Sequence, residues 1–138
     1  MQESEAFLLF CEDARPEVGN KLSIMGIFGP RATFSPPPEG EGAPGLRLSI
    51  CALCRFRNGG SRHGTLTLHV EGAAAQEIGL PSEPAEFDIP AIEEAEWTTQ
   101  LVATFPLIRV NDGLLITANL DLGDIQRSAT IKFEAQNV

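Results

Sequence analysis

Leu114-Leu115-Ile116-Thr117-Ala118-Asn119-Leu120-Asp121-Leu122-Gly123-Asp124-Ile125-Gln126-Arg127-Ser128-Ala129-Thr130-Ile131-Lys132-Phe133 is the stretch that decides the fold. Two strand-like runs flank Gly123-Asp124, a pair suited to a tight hairpin turn. A two-residue turn there makes residues whose numbers sum to 247 face each other. Ala118 then meets Ala129, Ile116 meets Ile131 and Leu114 meets Phe133, all on one face. The opposite face pairs Asn119 with Ser128, Thr117 with Thr130 and Leu115 with Lys132. A slip of one residue would scramble this sorting, so the hydrophobic pattern specifies the register.

The same period of two recurs upstream. In Thr65–Glu71, Leu66, Leu68 and Val70 share a face. Between Leu46 and Phe56, the even-numbered residues are apolar, while Arg47, Ser49, Arg55 and Arg57 take the other parity together with Cys51 and Leu53. Trp97, Thr99, Leu101, Ala103 and Phe105 alternate with Thr98, Gln100, Val102 and Thr104. Such alternation marks half-buried antiparallel strands. The opening segment Ala6–Phe28 reads as another hairpin. A three-residue loop, Val18-Gly19-Asn20, faces Ala14 with Ile24, Phe10 with Phe28 and Glu17 with Lys21, the last a favourable charge pair. Pro16 lacks an N–H for a ladder, which places this hairpin at a sheet edge.

Turn signals separate the strands. Residues 35–45, with Pro36-Pro37-Pro38 and interspersed Glu and Gly, read as a polar mobile loop, and 58–64 and 111–113 read as turns. Ala73–Gln76 and Glu93–Glu96 are each long enough for one helical turn only. Eight or so strands at this spacing predict an all-β fold: a two-sheet antiparallel β-sandwich of immunoglobulin-like type, with a small β-barrel as the alternative.

Composition bounds the function. A chain of 138 residues is one domain by size, able to bury roughly 68% of its unfolded surface. The net charge of −9 and the scatter of ten basic residues argue against nucleic acid, whose phosphates reward clustered Lys and Arg. No apolar run approaches the ~20 residues of a membrane helix. The acidic start and short apolar run do not resemble a secretion signal, and three cysteines are too few for a disulfide scaffold, so a reduced cytoplasmic setting is expected.

Candidate chemistry is sparse. Cys51 and Cys54 have the spacing of a metal or redox pair, but three residues along a strand point to opposite faces, and no second pair completes a site. Cys11 lies in an apolar strand and reads as a small buried hydrophobe. His63 falls in a glycine-rich turn and His69 on a polar strand face, neither with a sequence neighbour to orient it as a base. Asp112, Asp121 and Asp124 are the candidate cation ligands, as in calcium-binding sandwich loops, although turn formation explains Asp at such places. Glu12, Asp13 and Glu17 form a second acidic group, and Glu93, Glu94 and Glu96 a solvated run. Arg55, Arg57 and Arg62 bracket a Gly-rich turn and are the candidate interaction residues, able to receive an acidic partner. Trp97 reads as core packing.

The residues Phe10-Cys11-Glu12-Asp13-x-Arg15-x-Glu17-x-Gly19-x-Lys21-Leu22-x-Ile24-x-Gly26-Ile27-Phe28 resemble a bacterial domain family of unassigned activity, whose members open on a Cys/Asp-rich strand followed by Gly-Lys-Leu and a later Gly. Gly113–Ile116 and Asp121–Asp124 resemble the paired terminal strands of such domains more weakly, and the 35–45 loop departs from the pattern. The resemblance implies the sandwich fold and a bacterial origin, and no chemistry. The expectation is therefore a non-catalytic interaction or assembly module, without a cofactor, that pairs with protein or with itself through an edge strand. The alternatives are a small-ligand or cation-binding sandwich, and an enzyme with an unrecognised site.

Overall fold

A computed structural model describes residues 4–19, 21–36, 45–57, 60–91 and 97–136. The strands are β1 (Glu5–Glu17), β2 (Lys21–Phe28), β3 (Arg31–Phe34), β4 (Gly45–Phe56), β5 (Arg62–Glu71), β6 (Ala85–Ile89), β7 (Trp97–Arg109), β8 (Leu115–Asp121) and β9 (Gln126–Ala135), with one helical turn, α1 (Ala75–Ile78), between β5 and β6. They form two sheets, ordered β2-β1-β4-β7 and β3-β9-β8-β5-β6. The sheets do not close on each other, so the fold is a sandwich and not a barrel. Every pairing is antiparallel except β3 with β9.

Both hairpin registers follow from turn length and patterning. The last pair sets Ile116 against Ile131 and Ala118 against Ala129. The first sets Glu17 against Lys21, Ala14 against Ile24 and Phe10 against Phe28. Among the described residues only Glu5–Cys11 of β1 also pairs with β4, and Pro16 lies beyond that span, toward the hairpin tip. Helix α1 occupies Ala75–Ile78, two residues beyond the start of the expected turn, and Ile78 tucks into the core. The expected loop at 35–45 lies outside the described residues over 37–44, as does the expected turn at Glu93–Glu96.

The even-numbered residues of β4 and β8 and the odd-numbered ones of β9 meet between the sheets. Leu48, Ile108, Leu114, Ile116, Ile131 and Phe133 are fully buried there, each stabilising the fold by about 1.5–3 kcal/mol. A second cluster around Phe56, Ile89, Leu120 and Leu122 fills the other end. Gly64 sits where the Phe87 ring crosses β5, and a Cβ there would run into that ring. The absence of a side chain lets β6 close onto β5.

Candidate functional site

The outer face of the four-stranded sheet is built from the residues that alternate with the core. Because Ala6, Leu8 and Phe10 point inward, Phe7, Leu9 and Cys11 point outward. Register places Phe7 beside Leu53 and Gln100, Leu9 beside Cys51 and Val102, and Cys11 beside Ser49 and Ile27. Cys11, Ser49 and Cys51 are fully buried at the centre. Around them, Phe7 keeps 69% of its surface exposed and Ile27 63%, with Val102 also exposed. The Ser49 and Thr104 hydroxyls hydrogen-bond at 3.0 Å across β4 and β7. At the hairpin end, the Asp13 carboxylate accepts from Arg15 at 2.6 Å and from Arg47 at 3.2 Å. The Arg15 hydrogen bond, ahead of the Arg47 charge, holds that carboxyl below the usual carboxylate range. At the far end Glu5 pairs with Arg55 in register.

The Cys11 and Cys51 sulfurs lie 3.9 Å apart, brought together as diagonal neighbours on β1 and β4. Burial pushes both thiols up, Cys51 to about 12, so neither is a nucleophile at neutral pH. Cys54 faces the opposite side of β4, in the Phe56 cluster, where burial raises it to about 11. The Cys51-x-x-Cys54 pair therefore cannot converge on one metal.

The three arginines, candidate interaction residues by sequence, lie in different settings. Arg55 is exposed on the outer face, and Arg57 is half-buried with its backbone N–H donating to Ser4 Oγ at 2.9 Å. Arg62 is only 8% exposed. Its guanidinium stacks 4.0 Å above the Phe56 ring and donates to both Asp124 oxygens, at 2.9 and 2.8 Å. The aromatic floor and bidentate partner offset the cost of burying a cation. Arg62 thus fastens the β8–β9 turn to the start of β5.

The candidate cation ligands are likewise engaged in local structure. Asp124 is held by Arg62, which lowers its pKa through that hydrogen bond. Asp121 Oδ1 accepts from the Gly123 N–H at 2.8 Å, and Asp112 Oδ1 from the Ala135 N–H at 2.9 Å. Asp112 and Asp121 flank opposite ends of β8, about 20 Å apart by strand rise. Among the described residues no three metal-ligating side chains gather.

Strand pairing gives His63 partners that sequence distance hides. Its Nδ1 lies 2.9 Å from Asp88 and its Nε2 3.4 Å from Glu86, because β6 lies alongside β5. The Asp88 hydrogen bond, then that of Glu86, raise its pKa, so His63 holds a proton more firmly than a free imidazole. This trio lies exposed on the outer face of the five-stranded sheet. His69 lies 3.6 Å from Glu71.

A cleft of about 390 Å³ opens between the sheets on the side where β6 and β7 form their edges. Leu8, Ile50, Ala52, Leu66, Leu101 and Leu120 line it, and Phe87 and Ile89 stand at its β6 wall. Glu86 and Asp88 alternate with these residues and so direct their carboxylates away from it. No helix of the described residues is long and apolar enough to cross a membrane. No family model, curated protein or solved structure gave a match to the chain.

Proposed function

We propose that the domain is a non-catalytic interaction module that docks another protein on the outer face of its four-stranded sheet. The observation that carries this reading is the set of exposed apolar side chains, Phe7, Ile27 and Val102, on a chain of net charge −9. A sheet face with nothing to bury is ordinarily polar, and contiguous exposed apolar surface marks an interaction site. The immunoglobulin-like character of the sandwich, its cytoplasmic setting and its bacterial family belong to the same proposal. They are supported by the layered antiparallel strands, the free buried thiols and the hairpin resemblance. The test is a photo-crosslinking residue at position 7 or 27 in expressing cells, with position 128 on the other sheet as reference. Crosslinks to protein at 7 and 27 and none at 128 support the reading, and silence at 7 and 27 refutes it.

The apolar cleft favours a second reading, a small apolar ligand held between the sheets. A fluorescent fatty acyl probe that binds with a raised melting temperature supports it, and no shift at saturating probe removes it.

A further inference from the structure

We infer that two copies of the chain pair edge to edge through β7, antiparallel across a two-fold axis near Leu101. Each of the other three edges carries a device against strand addition. On β2, Gly26 adopts φ +65° against Glu12 and breaks the regular edge. Strand β3 spans four residues behind Pro30 and opens on Arg31. Strand β6 spans five residues between Pro84 and Pro90 and carries Glu86 and Asp88. By contrast, β7 from Trp97 to Phe105 reads Trp-Thr-Thr-Gln-Leu-Val-Ala-Thr-Phe, with no charge, proline or glycine. That composition is rich in β-formers and is the kind that pairs with any free strand.

The pairing window has clear limits. Among the described residues no strand lies on the outer side of β7. Beyond Phe105, Pro106 removes an N–H, and Gly79 passes close to the Leu107 carbonyl. The window of 97–105, beyond which no described strand lies, is centred on Leu101. A two-fold axis there sets Trp97 of one copy against Phe105 of the other, Thr98 against Thr104, and Leu101 against its counterpart. It also brings the two apolar clefts, which open along this edge beside Leu101 and Ala103, mouth to mouth.

A second copy fits this edge better than an unlike partner. It supplies a strand of the same length and equal lack of charge, and acidic chains repel one another less where neither bears charge. A window of nine residues is about 30 Å of strand. Together with the cleft rims it buries about 1,000 Å² in total, at the low end of specific interfaces, so the dimer is reversible.

The test is sedimentation velocity from about 1 µM to about 500 µM, since a reversible dimer gains mass with concentration. The mass should rise from one chain to two. Leu101→Lys, which sets two cations face to face at the axis, should remain a monomer, and Leu101→Met should dimerise. Urea unfolding verifies that the lysine variant is folded. If it is not, hydrogen exchange of the unmodified chain decides: amides of 97–105 should gain protection with concentration and those of 21–28 should not. A single-chain mass throughout, a dimer of folded Leu101→Lys, or protection confined to another segment would overturn the inference. Phe7→Ser with Ile27→Ser should leave the dimer intact, so loss of docking on the outer face and loss of pairing are read separately.

Discussion

Replacing Asp124 with alanine removes the bidentate acceptor of the Arg62 guanidinium, which is 8% exposed and rests on the Phe56 ring. Among the described residues, the Gly60 carbonyl and Ser4 Oγ also accept from Arg62, each at a long 3.4 Å. Breaking a buried ion pair from one side costs about 3–5 kcal/mol, and the 47% exposure of the Asp124 side chain places this case at about 2–3 kcal/mol. For a domain of this size the melting temperature falls by about 8 °C. Arg62→Met should cost less, about 1 kcal/mol, because the stranded carboxylate is half in water and methionine still covers Phe56. The double variant should be more stable than Asp124→Ala alone, since the buried cation is removed together with its carboxylate. The assay is urea unfolding followed by fluorescence of Trp97, whose ring lies 4.9 Å from that of Phe56. A pH series adds a sign. The lowered Asp124 pKa makes this stabilisation present at neutral pH, with loss as pH falls through the folded-state value, below the usual carboxylate range. An Asp124→Ala loss under about 0.5 kcal/mol, or strictly additive single effects, would refute the buried-pair reasoning.

Further outcomes follow from the same geometry. Because its pKa is raised, His63 stabilises the β5–β6 pair below its unfolded pKa, and that contribution is lost as pH rises through the folded value. An NMR titration should show the shift, and Asp88→Asn should return the ring towards its ordinary value. Gly64→Ala drives a methyl into the Phe87 ring and should cost about 2 kcal/mol, seen as a lower urea midpoint. Cys11 and Cys51, buried and with raised pKa, should resist an aromatic disulfide reagent at pH 8 until urea unfolds the chain. Rapid labelling of the folded protein would contradict their placement.

What the sequence shows and what it hides divide along contact distance. The registers of β1–β2 and β8–β9 are legible because a short turn and a period-two pattern are local properties. The sheet order is not local, so nothing in Trp97–Phe105 reveals that β7 is an edge. Arg62 looks like any polar-turn arginine, because its partner Asp124 and its floor Phe56 are supplied by other parts of the chain. The carboxylates beside His63 arrive from β6 across the α1 crossing, and Cys11 meets Cys51 across 40 residues. One signal of the outer face was present. The run Phe7-Leu8-Leu9-Phe10-Cys11 is apolar at both parities, as are Cys51 and Leu53 among the arginines of β4. A strand apolar on both faces has two surfaces to bury, and the sandwich core accounts for one.

Hydrogen exchange compared between dilute and concentrated protein in expressing-cell extract tests this account most directly, because it reports both sheets at once. The account predicts slowed exchange along Trp97–Phe105 and across Phe7–Cys11, with β5, β6 and β9 unchanged. Slowing confined to the five-stranded sheet, or none on either sheet, would contradict it.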